Sequence, residues 1–425
     1  MQTFTQPAGI ATARPLPVTL LSGFLGAGKT TLLQQLLHAP HGLKIAVIVN
    51  DMSEINIDAD TVARDIQFSR TDARLVEMSN GCICCTLRED LLEEISKLAL
   101  AQQFDYLLIE SSGISEPLPV AETFTFIDAE GRRLADIARL DTLVTVVDAV
   151  NFLQDYLAAE SLASQGQSAG EDDDRTIADL LIEQIEFANV LVLSKTDLIT
   201  PTELARLQQI LRQLNPVARQ EIAIRGLLDP ARLLNTGLFS ETEAAEHQQW
   251  LSEAPGEHTP ETETYGISSF SFTARVPFHP ARFYQFLHQA WPHGRLLRSK
   301  GFFWLAQTDP TQQGIAWQWH QAGGIARYHP AGYFWFAQPA DAWPADDDAK
   351  ASILAQWQPP FGDCRQDLVF IGQQLDELAM QQALTACLLT DAELVTFNET
   401  GYLPAVVCPF CAELSADEQH EPAVA

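Results

Sequence analysis

A glycine-rich segment near the N-terminus carries the most specific chemical pattern in the sequence. Residues 23–30 read Gly-Phe-Leu-Gly-Ala-Gly-Lys-Thr, which matches the pattern G-x-x-x-x-G-K-[ST]. Glycines let backbone N–H groups close around a phosphate group, and the helix that follows adds its partial positive charge. We predict a phosphate loop whose members are Gly23, Gly26, Ala27, Gly28, Lys29, Thr30 and Thr31.

Several side chains are predicted to act on the phosphates of a nucleotide and on their metal ion. Lys29 would neutralise the β- and γ-phosphates, and the Thr30 hydroxyl would bind Mg²⁺. Glu110 ends an apolar segment and would act on Mg²⁺ or its water shell, while the N–H of Gly113 would contact the γ-phosphate. Asp51 ends another such segment and offers a second carboxylate for Mg²⁺, because ligands of open parallel sheets bind at that edge. The predicted catalytic set is Lys29, Thr30 and Glu110.

A second motif indicates which base the nucleotide carries. Ser194-Lys195-Thr196-Asp197 follows an apolar segment and is similar to the guanine-reading motif N-K-x-D, with Ser in place of Asn. The Asp197 carboxylate can accept hydrogen bonds from guanine N1–H and N2–H₂, which adenine cannot both supply, and the Lys195 stem can pack along the base. We therefore expect GTP, with an ATPase as the alternative. Because the Asn is missing, we also expect looser packing of this loop.

The cluster Cys82-Ile83-Cys84-Cys85 predicts a site for a different metal. Three thiolates within four residues, next to a glycine, suit Zn²⁺ or Cu⁺ better than Mg²⁺. Tetrahedral zinc needs a fourth ligand, for which Glu54 is the candidate, although a substrate or a water molecule could complete the site instead.

The other four cysteines form two groups. Cys364 and Cys387 lie in or beside apolar segments and are predicted to be structural. Cys408-Pro409-Phe410-Cys411 is a C-x-x-C pair, for which redox activity, metal binding and no function all stay open. Seven cysteines, with three of them clustered, do not show the spacing of a disulfide framework and favour a reducing cytoplasm.

Alternating apolar and helical stretches must position these residues. Continuous apolar runs are typical of strands buried on both faces of a parallel sheet. The predicted strands are 17–22, 44–50, 106–110, 142–148 and 190–194. The predicted helices are 29–37, 88–101, 176–187 and 201–214. This repetition predicts an α/β domain with a doubly wound parallel sheet that carries the phosphate loop.

Shifts in composition divide the chain into segments. We predict an N-terminal tail, the nucleotide-binding domain, an acidic linker, a smaller α+β domain and an acidic tail with the C-x-x-C pair, over residues 1–15, 16–236, 237–265, 266–400 and 401–425. In the second domain, short strands near 268–272 and 368–372 accompany helical stretches near 280–289 and 375–389.

The net charge of the sequence disfavours partners that are themselves negatively charged. The 425 residues include 56 Asp and Glu against 26 Lys and Arg, a formal net charge of −30. So acidic a surface repels nucleic acid and anionic membranes, which makes both poor default partners. No apolar run reaches the roughly 20 residues that span a bilayer, and the N-terminus lacks the pattern of a secretory signal. We expect a cytoplasmic protein.

Together, these motifs resemble those of the CobW-related GTPases, a family of metal chaperones that includes zinc-regulated GTPases. The resemblance rests on residues 23–31, 50–58, 81–85, 110–117, 147–148 and 194–198, and continues through 267–272, 298–304 and 368–372. It implies a P-loop G domain followed by a CobW-type C-terminal domain. It also implies a zinc site formed by Cys82, Cys84, Cys85 and Glu54.

The function implied by this resemblance is a Mg²⁺-dependent GTPase that couples GTP binding and hydrolysis to zinc transfer to a client metalloenzyme. A homo-oligomer is compatible with it. The alternatives are a zinc sensor or buffer whose GTP cycle gates partner binding, and a cobalt or iron chaperone of the same family. Residues 408–410 read Cys-Pro-Phe where the family commonly has Asp-Pro-Phe, so Cys408 replaces the Asp. The linker lacks the histidine-rich tract of many members, which argues against bulk metal storage.

Overall fold

The computed structural model shows two compact units, residues 1–248 and 249–425. It describes residues 14–50, 74–78, 88–124, 133–157, 176–240, 267–289, 292–308, 314–323, 325–344, 346–404 and 406–411. The predicted ligands Asp51, Glu54, Cys82, Cys84 and Cys85 lie outside these described residues. No helix within them is long and apolar enough to cross a membrane.

The first unit contains a seven-stranded sheet whose described pairings are all parallel. Its strands are β1 (Leu16–Ser22), β2 (Ile45–Asn50), β3 (Arg74–Met78), β4 (Tyr106–Glu110), β5 (Ala138–Asp148), β6 (Val190–Ser194) and β7 (Arg219–Ile222). Their spatial order is β3-β2-β4-β1-β5-β6-β7, so the chain enters the sheet in its middle and extends it on both sides. The doubly wound parallel sheet is therefore confirmed.

Helices connect the strands, and apolar residues of the helices pack against the sheet in separate clusters. They are α1 (Lys29–His38), α2 (Arg88–Ala101), α3 (Pro117–Thr123), α4 (Phe152–Leu157), α5 (Ile177–Glu186) and α6 (Pro201–Leu214). Ile109 of β4 lies in one buried cluster with Leu91 of α2, while its neighbour Leu108 lies in another with Leu33 of α1. Because successive strand side chains point to opposite faces, both faces of the sheet are buried, which explains the continuous apolar runs.

The two strands at the edges of the sheet, β3 and β7, were not predicted. Strand β7 has the sequence Arg-Gln-Glu-Ile, with half-buried and exposed side chains, and lies at the edge of the sheet. It is a strand because it pairs with β6, and its sequence alone carries no such signal. Strand β5 also begins four residues before the predicted start at 142, with Ala138.

A buried polar network anchors the end of this unit to its sheet. The Tyr106 hydroxyl donates to Asp141 Oδ2 at 2.8 Å and accepts from the backbone N–H of Asn235 at 3.1 Å. Asp141, which is fully buried, also accepts from the backbone N–H groups of Thr236 and Gly237. Burial raises the pKa of Tyr106, so the phenol stays a donor. The first residue of the predicted linker, Gly237, is thus held to the sheet.

The second unit contains a five-stranded antiparallel sheet. Its strands are β8 (Ile267–Ala274), β9 (Arg295–Phe303), β10 (Ile315–Ala322), β11 (Ile325–Tyr333) and β12 (Gln366–Gln373), in the order β11-β10-β9-β12-β8. Its helices are α7 (Pro280–His288), α8 (Asp347–Ala355), α9 (Glu377–Cys387) and α10 (Asp391–Thr400). Aromatic side chains dominate the core, among them Phe283, Phe370 and Phe410. The predicted α+β class of this unit is confirmed.

Replacing Tyr106 by Phe is expected to destabilise the first unit. The change removes the hydroxyl that joins Asp141 and Asn235, and losing a buried hydrogen bond of this kind costs about 1–3 kcal/mol. For a unit of this size, the melting temperature should fall by about 2–10 °C in differential scanning calorimetry. Tyr333→Phe is the matched control, because Tyr333 is exposed. An unchanged melting temperature in Tyr106→Phe would contradict the anchoring role.

Candidate functional site

The order of the strands brings the predicted phosphate-site residues to one edge of the sheet. Strand β1 lies between β4 and β5, with Leu21 opposite Glu110 and Ser22 opposite Thr145. The phosphate loop leaves β1 directly after Ser22. It therefore emerges between the carboxyl ends of β4 and β5, where parallel sheets bind ligands.

Glycines are required where this loop turns. Gly23, Gly26 and Gly28 have φ angles of 135°, 70° and 100°, a region that disfavours residues with a side chain. At Gly23, a Cβ atom would also lie 2.4 Å from the carbonyl oxygen of Val146 in β5. Gly28 then forms the N-cap of α1, so the loop ends at a helix N-terminus with its exposed N–H groups.

The Lys29 side chain folds back over the loop. Its Nζ donates to the carbonyl oxygens of Gly23 at 2.8 Å and Phe24 at 3.2 Å, and the residue is largely buried. The ammonium group is therefore held against the backbone of the phosphate loop, where an anionic ligand would meet it. This position agrees with the predicted role of Lys29 in neutralising phosphate charge.

Thr30 and Glu110 meet across the sheet edge, although 80 residues separate them. The Thr30 hydroxyl donates to Glu110 Oε1 at 2.9 Å, and Glu110 is buried. A hydroxyl and a carboxylate are hard oxygen donors, which suit Mg²⁺. The two described members of the predicted magnesium set are thus adjacent, and their chemistry fits that ion.

The segment after β4 packs directly on the phosphate loop. A Cβ atom at Gly113 would lie 2.5 Å from Leu25 Cδ2 and 2.8 Å from Leu25 N, so only glycine allows this approach. Gln184 of α5 holds the same segment, because its Nε2 donates to the carbonyl oxygens of Gly113 at 3.3 Å and Ser115 at 3.2 Å. Sequence reasoning missed Gln184, since a glutamine within a helical pattern carries no motif.

Ser194 ties the base-reading motif to the phosphate loop. Its hydroxyl is buried and donates to the carbonyl oxygens of Ala27 at 2.7 Å and Val147 at 3.2 Å. The expectation of looser packing is therefore wrong. The serine hydroxyl itself bridges β6, β5 and the loop at hydrogen-bond distance.

Lys195 and Asp148 form an ion pair beside this bridge. Lys195 Nζ lies 2.7 Å from Asp148 Oδ2, and Asp148 also accepts from the backbone N–H of Val150 and the side-chain amide of Asn151. Burial favours the neutral acid, but these hydrogen bonds outweigh it and hold the pKa of Asp148 below its ordinary value. Asp148 thus stays ionised and positions Lys195. Asp197, at the start of the next turn, is exposed and accessible to a base.

A cleft with about 490 Å³ of empty volume opens beside the loop. Its lining includes residues 24–26 of the loop, residues 145–148 at the end of β5, Gln184 of α5 and Lys195. The phosphate loop, the Asp148–Lys195 pair and the Gln184 support therefore surround one concave site.

Comparison with known proteins decides the family. Residues 17–221 match the CobW/HypB/UreG nucleotide-binding domain, and residues 267–388 match the cobalamin synthesis protein cobW C-terminal domain. The zinc-regulated GTPase metalloprotein activator 1 of Dictyostelium discoideum is 47% identical over 390 residues, which cover 89% of this chain and 81% of that protein. The chain belongs to the CobW/HypB/UreG family. The resemblance predicted from the motifs is confirmed.

Two bacterial relatives support the same membership. The zinc chaperone YjiA of Escherichia coli strain K12 is 29% identical over 378 residues, covering 87% of this chain and 98% of the relative. The zinc chaperone CobW of Sinorhizobium sp is 29% identical over 297 residues, covering 68% of this chain and 81% of the relative. As a member of this family, the protein carries its nucleotide-binding domain in the first unit.

The structure does not describe the predicted zinc ligands. Cys82, Cys84, Cys85 and Glu54 lie outside the described residues, so the zinc site stays a prediction from the sequence and the family. Within the part of the chain that the structure describes, no group of three or more His, Cys, Asp or Glu side chains is arranged to hold a metal ion.

Ser194→Ala is expected to weaken nucleotide binding without unfolding the protein. The change removes the hydrogen bond that fixes Ala27 of the phosphate loop, a loss of about 1 kcal/mol. The Kd for GDP should therefore rise about fivefold in isothermal titration calorimetry. Ser269→Ala, in β8 of the second unit, is the control and should bind as the wild type does. Equal affinity in both variants would show that the bridge does not shape the loop.

Proposed function

We propose that this protein is a Mg²⁺-dependent GTPase that couples GTP binding and hydrolysis to zinc transfer to a client metalloprotein. One observation carries the nucleotide part: the phosphate loop, the Thr30–Glu110 pair and the base-reading motif converge on one sheet edge. The zinc part is supported by the Cys82–Cys85 cluster and by relatives named as zinc-regulated or zinc chaperones.

In this proposal, the phosphate loop binds the β- and γ-phosphates of GTP. Lys29 exchanges its carbonyl partners Gly23 and Phe24 for phosphate oxygens, because hydrogen bonds between two charged groups are the stronger ones. The N–H of Gly113, in a segment that Gln184 holds in place, would contact the γ-phosphate at the end of the phosphate chain.

Thr30 and Glu110 would hold the magnesium ion, with Asp51 as the third predicted oxygen donor. When bound, Mg²⁺ neutralises the charge that develops on the phosphate oxygens during hydrolysis. The residues of this chain position it: Glu110 is fixed by its strand and Thr30 by the first turn of α1.

Guanine recognition is assigned to Asp197 and Lys195. Asp197 is exposed at the same edge of the sheet as the phosphate loop, and Lys195 is oriented by its ion pair with Asp148. A carboxylate that accepts from both guanine N1–H and N2–H₂ gives the site its preference over adenine.

The topology supports a coupling between nucleotide and metal. Strands β2 and β3 run parallel to β1 and β4, so Asn50 and Met78 end at the same edge as the phosphate loop. Glu54 follows the end of β2 by four residues, and Cys82 follows the end of β3 by four. Both segments with predicted zinc ligands therefore leave the sheet at the edge that carries the phosphate loop. In our proposal, GTP binding at this edge orders the predicted zinc ligands. GTP hydrolysis then weakens their contacts and releases the zinc.

Asp197→Ala is expected to abolish the preference for GTP over ATP. Losing hydrogen bonds to a carboxylate costs about 1.5–3 kcal/mol, so the Kd for GTP should rise by about 10- to 150-fold while ATP binding stays unchanged. Asp229→Ala, in a different turn, is the control. A wild-type protein that binds ATP as tightly as GTP would instead support the ATPase alternative.

Cys84→Ala is expected to remove high-affinity zinc binding and its linkage to GTP. In the wild type, a non-hydrolysable GTP analogue should tighten zinc binding, and zinc should tighten binding of the analogue by the same factor. Competition with a chromophoric chelator measures the first effect and nucleotide titration the second. Cys387→Ala, a buried cysteine of the second unit, should behave as the wild type. Independent affinities would refute the coupling.

A transfer assay separates the chaperone from the sensor or buffer. Zinc-loaded protein is mixed with a zinc-depleted apo-enzyme, with GTP or with the non-hydrolysable analogue. A chaperone activates the enzyme faster with GTP, whereas a sensor or buffer shows no effect of hydrolysis.

Metal analysis of protein from zinc-limited and zinc-replete cells tests the cobalt and iron alternatives. Light scattering with each nucleotide tests whether the protein forms a homo-oligomer.

A further inference from the structure

The pair Cys408 and Cys411 belongs to the folded second unit. Cys408 is buried and Cys411 half-buried, and the two Sγ atoms lie 2.7 Å apart. The backbone N–H of Cys411 also points at Cys408 Sγ, at 3.4 Å. The two thiols therefore face each other, within an ångström of the separation that a covalent bond requires.

Phe410, between the two cysteines, anchors this segment. It is fully buried, and its ring centroid lies 4.9 Å from that of Tyr328, 5.6 Å from that of Trp317 and 5.8 Å from that of Phe303. The core of the second unit thus holds the C-x-x-C segment in place. The entropy needed to bring the two sulfur atoms together has already been lost on folding.

The described cysteines differ in how easily they ionise. Hydrogen bonds from the Cys411 thiol, and from the backbone N–H groups of Cys411 and Phe410, hold the pKa of Cys408 below its ordinary value against the effect of burial. In contrast, burial raises the pKa of Cys364 to about 12 and that of Cys387 to about 11. Since the thiolate is the reactive form, Cys408 is favoured as a nucleophile over these two.

A small cavity reaches both sulfur-bearing residues. It has about 280 Å³ of empty volume and is lined, besides the cysteines, by residues 305–308, Ile315 and Trp317. Among the residues that the structure describes, this lining offers no carboxylate or imidazole, and two thiolates alone cannot complete a tetrahedral zinc site. The geometry therefore favours chemistry between the two thiols over metal binding.

We propose that Cys408 and Cys411 form a redox-active dithiol that exchanges with disulfides of low molecular mass, of which glutathione disulfide is the probe. The Cys408 thiolate attacks one sulfur of that disulfide and releases its partner as a thiolate, which leaves a mixed disulfide on Cys408. Cys411 then attacks Cys408 Sγ and releases the second thiol. The protein loses two electrons and two protons, and the disulfide takes up both to become two thiols.

The experiment uses the full-length protein in glutathione buffers with an increasing fraction of the disulfide form. The reaction is quenched with acid, free thiols are alkylated in denaturant, and the digested peptides are identified by mass spectrometry. The peptide with residues 408–411 should lose both alkylation sites together and carry an internal disulfide. Cys364 and Cys387 should stay reduced at the same glutathione ratio. They are then alkylated after the quench and serve as internal controls.

Two variants extend the test. Cys411→Ser should accumulate glutathione on Cys408, because the attacking second thiol is absent, whereas Cys387→Ala should form the 408–411 disulfide as the wild type does. The proposal is overturned if the wild-type pair stays reduced at every ratio, or if a chelator that removes zinc is needed before the pair reacts. The wild-type measurement decides the question even if Cys411→Ser does not fold. It is also independent of GTP binding and zinc transfer.

Discussion

The parallel pairing of β1 with β4 on one side and β5 on the other is the constraint on which the nucleotide site depends. It places the phosphate loop between two strand ends and brings Thr30 within hydrogen-bond distance of Glu110. The pairing of β5 with β6 adds the next contact, because it places Asp148 opposite Ser194. A shift of one residue in the pairing of β1 with β4 would turn Glu110 to the opposite face of the sheet relative to β1.

The nucleotide site also depends on two places where backbone segments approach each other closely. Gly23 lies against β5 and Gly113 against Leu25, at distances that leave no space for a side chain. Around these contacts, a hydrogen bond from Ser194 connects the loop to β6, and one from Gln184 connects the Gly113 segment to α5. The loop is thus preorganised by its surroundings, which reduces the entropy that a bound nucleotide must offset.

The two units differ in the physical basis of their chemistry. In the first, function depends on charged and polar groups at a sheet edge, whose ionisation is set by hydrogen bonds such as those to Asp148. In the second, an aromatic core fixes a pair of thiols through Phe410. Residues 408–411, within the predicted acidic tail, therefore contribute to the core of the second unit.

Much of this protein was predictable from local patterns. The strand Tyr106–Glu110 and the helices Arg88–Ala101 and Pro201–Leu214 have the bounds that the apolar runs predict, because long runs report burial directly. The phosphate loop was equally clear, since its glycines are required by backbone geometry that few sequences satisfy. The edge strands Arg74–Met78 and Arg219–Ile222 were missed, because their pairing partners lie elsewhere in the chain.

By itself, the sequence determined which residue types are available for phosphate, base and metal chemistry and the class of each domain, because these depend on local spacing and burial. Only the tertiary structure decided which of them meet. Ser194 replaces a missing Asn, Asp148 orients Lys195 and Gln184 supports Gly113 through contacts between residues distant in the chain. Such partners leave no periodic signal, because the energy of a hydrogen bond depends on distances that folding alone establishes.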